Sequence, residues 1–313
     1  MDADTLLRTA CGLVDRSERG KLLLTGADAK EFLHGQVTND IGSLEEGGGC
    51  YAAFLTHKGK MLGDMRVLDG GSAGLWLDCE RSVLQALFTL INRFKIGRDV
   101  EIEKRTLQRS LLSLVGPDAS RIAGIEAGPE HSHVRSTIGG VSVRAVITDA
   151  GVDVICDAAQ ADVVRSALGV PEVPEAAAEV LRVEAGRPRY GLDLDESVIP
   201  QEAALNERAV SFTKGCYVGQ ETVARLFYKG KPNRHLRGLK LSSEVSPGTE
   251  LVLGEKVVGK VATSVVSPVH GPIALAIVRR EASVGDVVAV GGDGGSAKVV
   301  ELPFAVPVPA ISA

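Results

Sequence analysis

The residues best suited to chemistry lie in one short stretch, residues 214–221, which reads Lys-Gly-Cys-Tyr-Val-Gly-Gln-Glu. Gly215 and Gly219 permit backbone angles that other residues avoid, so a tight turn can present Cys216 between them. A short helix is predicted to begin at Gln220. A helix N-terminus and a lysine two residues away both favour thiolate over thiol, so the pattern predicts a lowered pKa for Cys216. The structural alternative is a cysteine packed in a turn.

A second candidate is Glu184, an acidic residue inside an otherwise apolar predicted helix. An unpaired carboxylate is costly to bury, so Glu184 either points to solvent or meets a specific donor. A pterin ring presents an N–H and an amino group side by side, and one carboxylate can accept hydrogen bonds from both. Pairing of Glu184 with Arg182 or Arg187 is the competing structural interpretation.

A basic run without any acidic residue follows the cysteine, at residues 222–237. Phe227 and Tyr228 interrupt this run, which is typical of a platform on which single-stranded nucleic acid stacks. A small anionic ligand such as a glutamate tail, or simply a solvated face, fits the same pattern. Five charges are few for nucleic acid, so we do not expect nucleic acid as the partner. The basic residues are Arg225, Lys229, Lys231, Arg234 and Arg237.

The composition excludes several classes of protein. Among 313 residues, 35 Lys and Arg stand against 40 Asp and Glu, which gives a net charge of -5. Hydrophobic residues make up 44%, enough for more than one core and too many for a disordered chain. The net negative charge argues against binding nucleic acid over the whole surface. The sequence has no apolar run long enough for a membrane span and begins with acidic residues, unlike a secretory signal, so we expect a cytoplasmic protein.

The cysteine pattern supports neither a disulfide framework nor a local zinc site. The number of cysteines is odd, their spacings are wide, and no C-x-x-C pair occurs. Cys50 and Cys156 lie in apolar runs, where a cysteine is most often a small buried hydrophobic residue. Cys216 is the exception, and we predict no metal site.

Strand-like and helical segments interleave along residues 1–180, which indicates an α+β fold with mainly antiparallel sheets. In the first half, Asp28 and Glu31 predict a capping box for a helix that ends at Gln36. A helix over residues 82–94 carries apolar residues on one face. The predicted strands are residues 21–25, 51–56, 65–68, 75–79, 100–103, 110–115, 141–147 and 152–156, and further helices are predicted at 158–168 and 175–185.

From about residue 237 the helical periodicity ends, and short β segments recur with Gly or Pro between them. Five or six strands at this spacing predict a small closed barrel. We therefore predict four segments: an N-terminal α+β unit at 1–109, a second α+β unit at 110–180, a motif segment at 181–236, and a C-terminal β-barrel at 237–313.

The stretch at residues 214–221 resembles the K-G-C-[YF]-x-G-Q-E signature of the YgfZ-type folate-binding proteins, which are relatives of the glycine-cleavage aminomethyltransferase, or T-protein. Three weaker blocks extend the resemblance over nearly the whole chain. An eight-residue signature in the correct order among such blocks is specific, whereas a lone E-A-G carries little weight. The weaker blocks lie at residues 26–40, at 184–193, and at 271–276 with 302–304.

The resemblance implies two interlocked ferredoxin-like units and a small barrel, arranged around a central channel that holds tetrahydrofolate. Glu184 falls on the carboxylate that recognises the pterin in T-proteins, and Cys216 falls on the cysteine that distinguishes the YgfZ branch. On this basis the expected catalytic residues are Cys216, Lys214 and Asp64, and the expected cofactor-binding residues are Glu184, Tyr190, Arg187, Tyr217, Gln220, Glu221 and Arg225.

One position departs from the T-protein pattern. T-proteins carry G-G-x-x-D-D, whose acidic pair lies near the folate atom that accepts the one-carbon unit, but here Gly63 precedes Asp64. Aminomethyl transfer needs a positioned carboxylate, so the change disfavours that reaction. The resemblance therefore implies a tetrahydrofolate-binding accessory protein that supports assembly or repair of iron–sulfur clusters in client enzymes. A folate-dependent aminomethyltransferase or demethylase-like one-carbon transferase is the alternative.

Overall fold

The computed structural model describes residues 2–291 and 294–305. The last eight residues of the predicted barrel segment, 306–313, lie outside these ranges, as does Met1 of the acidic start. Within the described ranges, no helix is long and apolar enough to cross a membrane. The helices are α1 (Ala3–Thr9), α2 (Ala29–Gln36), α3 (Leu84–Phe94), α4 (Ala119–Ala123), α5 (Ala161–Leu168), α6 (Glu175–Glu184), α7 (Asn206–Ala209) and α8 (Gln220–Lys229), with short 3-10 turns at Gly71–Ala73 and Ala158–Gln160.

The chain divides into two compact units, each assembled from two separate stretches. The first unit comprises Met1–Ala178 and Asn206–Ala224, and the second comprises Glu179–Leu205 and Arg225–Ala313. The strands of the first unit are β1 (Gly12–Asp15), β2 (Gly20–Thr25), β3 (Gly49–Leu55), β4 (Met61–Asp69), β5 (Leu75–Cys79), β6 (Glu101–Lys104), β7 (Arg109–Val115), β8 (His133–Ile138), β9 (Val141–Thr148) and β10 (Gly151–Asp157).

The first unit contains two five-stranded antiparallel sheets, ordered β3-β4-β5-β2-β6 and β1-β7-β10-β9-β8. The sheets are interlocked because β1, from the start of the chain, pairs with β7 in the second sheet. Buried side chains from both sheets share one cluster, in which Leu68 of β4 packs with Leu111 and Ile155. Burial of these apolar surfaces holds the two sheets face to face.

A buried ion network also joins the two sheets. Arg66 of β4 donates a hydrogen bond to Asp153 of β10 at 2.7 Å and another to Asp78 of β5 at 2.7 Å. Ser113 of β7 donates to the second oxygen of Asp153 at 2.6 Å. Loss of one partner would leave a buried charge unpaired, so the network specifies how the sheets meet.

The second unit contains a closed antiparallel barrel, ordered β11-β14-β13-β12-β15-β16. Alternate residues such as Leu239, Val261 and Val299 point inward and form its core, because side chains alternate between the faces of a strand. The expectation of a small closed barrel with five or six strands is confirmed, with six strands described. These strands are β11 (Arg234–Leu241), β12 (Glu250–Leu253), β13 (Lys256–Ser267), β14 (Gly271–Arg279), β15 (Val287–Val290) and β16 (Gly295–Val300).

The predicted fold class is confirmed: the protein is α+β, with antiparallel sheets and a closed barrel. The predicted capping box at α2 is wrong. Asp28 has helical backbone angles (φ -92°, ψ -2°) and makes no side-chain hydrogen bond to the helix. Its carboxylate instead accepts from the Asp99 N–H at 2.9 Å, and Glu31 pairs with Arg98 at 3.3 Å. Asp28 and Glu31 therefore connect the start of α2 to the segment before β6 and do not cap the helix.

Candidate functional site

Cys216 lies in the loop between α7 and α8, in the first unit, and the residues around it hold this loop in place. The side chains of Lys214 and Tyr217 on either side are each 8% exposed, whereas Cys216 itself is exposed. The Lys214 ammonium lies 5.0 Å from the centroid of the Tyr217 ring, a cation–π contact. Two buried anchors therefore fix the backbone on both sides of a thiol that faces outward.

Lys214 uses its ammonium to hold this loop against the end of α2. It donates hydrogen bonds to the carbonyl oxygens of His34, of Val37 at 2.8 Å and of Asn39 at 3.1 Å. An ammonium has three donors, so all three are engaged. Burial lowers the pKa of Lys214 to about 8, since desolvation penalises the charged form. These contacts are those of an anchor, and the catalytic role of Lys214 stays a prediction.

Thr38 and Asn39 form hydrogen bonds to residues 208–209, which precede the loop that contains Cys216. The Thr38 hydroxyl donates to the carbonyl of Ala209 at 2.5 Å. The Asn39 amide donates to the carbonyl of Tyr51 at 2.8 Å and to that of Arg208 at 3.2 Å. Two motifs that are far apart in sequence therefore form one hydrogen-bonded assembly that sets the position of the loop.

Gly219 ends the loop with a left-handed backbone (φ 85°). A Cβ at this position would lie 2.5 Å from the carbonyl oxygen of Thr56, so only glycine fits. The predicted helix α8 begins at the next residue, Gln220, with Glu221 exposed in its first turn. The expectation for Gly215 is wrong: its φ is not positive, and a Cβ there would meet no atom within 4 Å.

Asp64 is a buried acid on β4, at 4% exposure. It accepts a hydrogen bond from the Tyr51 hydroxyl at 2.5 Å. The Tyr51 ring stacks on His131, with centroids 6.4 Å apart, and the Arg208 guanidinium lies 5.5 Å from the same ring. Burial raises the pKa of Asp64 to about 6, which the bond from Tyr51 opposes. This carboxyl can therefore hold or release a proton close to neutral pH.

Replacement of this acid gives a pH-dependent test. Because the folded-state pKa of Asp64 is raised from 3.8 to about 6, its ionisation destabilises the fold as pH rises through about 6. Asp64→Asn does not titrate, so its unfolding free energy relative to wild type should rise by about 2 kcal/mol between pH 4 and pH 7. Urea unfolding across that range measures the difference, with Asp162→Asn as an exposed control. A difference that is independent of pH would contradict the burial argument.

Glu184 lies in the second unit, at the last residue of α6. One carboxylate oxygen accepts from the Ser267 hydroxyl at 2.5 Å, and its backbone carbonyl accepts from the Phe304 N–H at 2.9 Å. Arg182, which the sequence offered as a partner, pairs with Glu179 at 2.8 Å and Asp193 at 2.7 Å. The side chain of Glu184 is thus directed to the turn after β13.

The loop that follows α6 is tied back to the helix. Arg182 donates to the Arg187 carbonyl, and Asp193 accepts from the Arg189 N–H at 2.9 Å. Tyr190 forms an isolated bridge with Leu194, and Arg187 and Tyr190 are both half-buried. Two of the predicted cofactor-binding residues, Arg187 and Tyr190, therefore lie in one loop that is hydrogen-bonded back to α6.

The structure groups the predicted site residues by unit. Lys214, Cys216 and Tyr217 share one loop of the first unit, and Glu184, with the loop after it, belongs to the second. Arg225 is exposed on α8. The roles that the resemblance implies for Glu184 and Cys216 at a tetrahydrofolate channel stay predictions. Within the described ranges, no group of three or more His, Cys, Asp or Glu residues is placed to hold a metal ion.

Sequence reasoning missed the partners of these residues. Tyr51 had a usable signal, because it begins the predicted strand 51–56 and Asp64 directly precedes the predicted strand 65–68. The structure pairs these two segments as β3 and β4. His131 and Arg208 come from distant stretches and gave no such signal. Ser267 is the last residue of a barrel strand, and its sequence context gives no signal of a functional role.

Family models match both ends of the chain. The model for the GCVT N-terminal domain matches residues 4–146, and the model for the glycine cleavage T-protein C-terminal barrel domain matches residues 234–305. A putative chloroplastic transferase of Arabidopsis thaliana is 31% identical over 309 residues, which cover 93% of this chain and 71% of the relative. The chain belongs to the GcvT/aminomethyltransferase-like family. The barrel of this GcvT-like chain coincides with the second matched region.

Other relatives of this GcvT-like chain carry two kinds of name. An aminomethyltransferase of Mycobacterium leprae is 27% identical over 331 residues, covering 95% of this chain and 86% of the relative. The tRNA-modifying protein YgfZ of Colwellia psychrerythraea is 30% identical over 235 residues, covering 72% and 70%. The crystal structure of aminomethyltransferase T from Bartonella henselae superposes with a TM-score of 0.86 at 24% identity, covering 96% of this chain and 88% of that one. That likeness confirms the fold.

Proposed function

We propose that this GcvT-like protein binds tetrahydrofolate and supports the assembly or repair of iron–sulfur clusters in client enzymes. The observation that carries the proposal is Cys216, an exposed thiol held between the buried anchors Lys214 and Tyr217. Its stretch resembles the YgfZ signature, and the relative named YgfZ from Colwellia psychrerythraea supports the same branch. In this proposal Cys216 is the functional thiol, and the cluster belongs to the client.

The residues of the second unit fit the pterin of tetrahydrofolate. Glu184 offers a fixed carboxylate, which suits the adjacent N–H and amino groups of the ring. His270 lies in the turn that follows Ser267. Within the described ranges, its Nδ1 atom is buried without a hydrogen-bond partner, so this nitrogen can form a hydrogen bond with a ligand. Bound tetrahydrofolate would supply a carrier for one-carbon units. The other residues that we predict to contact tetrahydrofolate are Tyr190, Arg187, Tyr217, Gln220, Glu221 and Arg225.

Cys216 differs from the other cysteines in its access to a partner. Cys11, Cys79 and Cys156 are buried, and burial raises the pKa of each, to about 11 for Cys11 and about 12 for Cys79. The half-buried Cys50 has its pKa raised to about 12 by the same cause. A thiol with such a pKa stays protonated and unreactive at neutral pH. Reaction with a client protein is therefore assigned to Cys216.

A one-carbon transferase is the second candidate, and two observations favour it. The aminomethyltransferase of Mycobacterium leprae aligns over 95% of this chain. Asp64, whose pKa is raised to about 6 by burial, is suited to move a proton near neutral pH. The glycine at position 63 weighs against this candidate, because the first acid of the T-protein pair is missing.

The two candidates are separated by measuring binding, turnover and function in the cell. Tetrahydrofolate is titrated into the purified protein by calorimetry, and transfer from glycine-derived aminomethyl and methylamine donors is assayed. A strain from which the gene has been deleted is complemented with a plasmid copy, and the activity of its iron–sulfur enzymes is measured. We expect binding, no turnover and restored activity. Turnover would favour the transferase, and absence of tetrahydrofolate binding would overturn both candidates.

A further inference from the structure

Trp76, the only tryptophan of the chain, lies beside a cluster of arginines in the first unit. The Arg109 guanidinium is 5.6 Å from the centroid of the indole ring, and that of Arg144 is 6.0 Å from it. Arg135 stands directly opposite Arg144, because the two residues are paired across β8 and β9. These three arginines, which we call the arginine cluster, come from one sheet, and Trp76 comes from the other.

The positive charge of the arginine cluster is not balanced within the chain. Like charges placed directly opposite each other on neighbouring strands destabilise a sheet. Among the described residues, neither Arg135 nor Arg144 forms an ion pair, and Arg109 approaches Asp157 only at 4.0 Å. Burial and the charges of Arg135 and Arg109 lower the pKa of Arg144, since each penalises its charged form. The cluster therefore lacks an anion.

The acids and the histidine near Arg144 do not supply this anion. Glu46 and Asp69 attract Arg144, but within the described part of the chain neither forms an ion pair with it. Asp69 is already paired with Lys30 at 2.8 Å. Arg144 donates from Nη1 to Nδ1 of His133 at 2.7 Å, and burial lowers the pKa of His133 to about 4. A neutral imidazole accepts this hydrogen bond but leaves the charge of Arg144 uncompensated.

The turn after β4 approaches the arginine cluster with a glycine. A Cβ at Gly70 would lie 3.2 Å from Nη2 of Arg144 and 3.5 Å from Cδ1 of Trp76, so a side chain here would crowd both groups. Within the described ranges, Nε1 of Trp76 is buried without a hydrogen-bond partner. Buried donors that the chain leaves unpaired are commonly matched by water or an ion. The surroundings of Trp76 thus combine unbalanced positive charge with an unused donor.

We propose that the arginine cluster binds a phosphate dianion, either free phosphate or the phosphate group of a small metabolite. Guanidinium groups on directly paired strands can each direct two N–H donors at one tetrahedral anion. A phosphate group carries about two negative charges at neutral pH, enough to balance Arg135 and Arg144 together, whereas a carboxylate carries one. The inference is independent of the proposed function, because none of these residues is among those predicted to contact tetrahydrofolate.

Fluorescence of Trp76 reports on the arginine cluster directly, since the chain has no other tryptophan. The full chain is titrated at neutral pH and constant ionic strength with inorganic phosphate, methyl phosphate and acetate. We expect a saturable change of emission with phosphate, half complete at about 1 mM, and no change with acetate. Tighter binding of methyl phosphate than of inorganic phosphate would identify the phosphate group of a metabolite as the ligand, and weaker binding would identify free phosphate.

Arg135→Gln is the deciding variant. Arg135 is exposed and forms no ion pair among the described residues, so its loss should preserve the fold. The phosphate concentration at half-saturation should rise about tenfold, because one charge-assisted contact is lost. Arg135→Lys keeps the charge without the planar fork and should weaken binding less. Arg121→Gln is the control: it removes a positive charge from a side chain that is 71% exposed on α4, and it should bind phosphate like wild type.

Thermal unfolding gives a second readout. Phosphate should raise the unfolding midpoint of wild type and of Arg121→Gln, because a ligand of the folded state stabilises it, and should raise that of Arg135→Gln less. In phosphate-free buffer, Arg135→Gln should unfold no earlier than wild type, since it removes a pair of like charges. The inference is overturned if phosphate changes neither the emission nor the midpoint of wild type, or if acetate acts like phosphate. Equal phosphate affinity of Arg135→Gln and Arg121→Gln would also overturn it.

Discussion

Cys216→Ala is expected to fold and to bind tetrahydrofolate like wild type, yet to fail in the cell. The thiol is exposed and its loop is held by Lys214 and Tyr217, so the free energy of unfolding should change by less than about 0.5 kcal/mol. Without the thiol, client iron–sulfur enzyme activity in a deletion strain should fall about tenfold or more, to the level of the empty vector. Enzyme activity in extracts, urea unfolding and calorimetry measure the three quantities.

Cys50→Ala is the matched control for this experiment. Cys50 is half-buried, and burial raises its pKa to about 12, so the thiol is protonated and its loss should leave client activity at the wild-type level. Full restoration of client activity by Cys216→Ala would refute the role of the exposed thiol. Equal loss in both variants would point to a general effect of cysteine removal.

Glu184→Gln should weaken tetrahydrofolate binding strongly. Hydrogen bonds to a charged group contribute about 1.5–3 kcal/mol, so the dissociation constant should rise about 10- to 150-fold. The amide keeps the shape of the carboxylate but replaces one acceptor oxygen with an NH2 donor, which would face a donor of the pterin. Since Ser267 can still donate to the remaining oxygen, the fold should be preserved. Calorimetric titration measures the effect.

Glu175→Gln provides the comparison on the same helix. Glu175 lies in the first turn of α6 and pairs with Arg16 at 2.8 Å, a partly exposed ion pair that contributes little to stability. Its replacement should leave tetrahydrofolate affinity within about twofold of wild type. Unchanged affinity in both variants would show that Glu184 does not read the pterin.

Local sequence patterns account well for the elements of the fold. The strand Leu75–Cys79 has the bounds that the sequence predicts, because Gly74 precedes it and the charged Glu80 follows it. The helix over residues 82–94 was predicted from its apolar face, and Leu87 and Ile91 on that face are buried. Such features depend on neighbours within one element, so spacing is sufficient to find them.

Features that depend on distant partners were not predictable. β1 is short and pairs with β7, about a hundred residues later, so its own sequence gives no strand signal. Lys214 was expected to act on the thiol two residues away, but its ammonium binds carbonyls at the end of α2. The Ser267–Glu184 bond likewise joins residues from separate parts of the sequence. Spacing along the chain gives no information about these contacts.

The first unit consists of two separate stretches of the chain, and this has a consequence for its folding during synthesis. A ribosome makes residues 1–178 well before it makes residues 206–224, and the stretch between them belongs to the other unit. Until the later stretch emerges, the hydroxyl of Thr38 lacks the Ala209 carbonyl, and the carbonyl of Val37 lacks the Lys214 ammonium. The nascent chain therefore completes its first unit only after translation has passed residue 224, and a gene fragment that stops earlier should yield a protein prone to proteolysis.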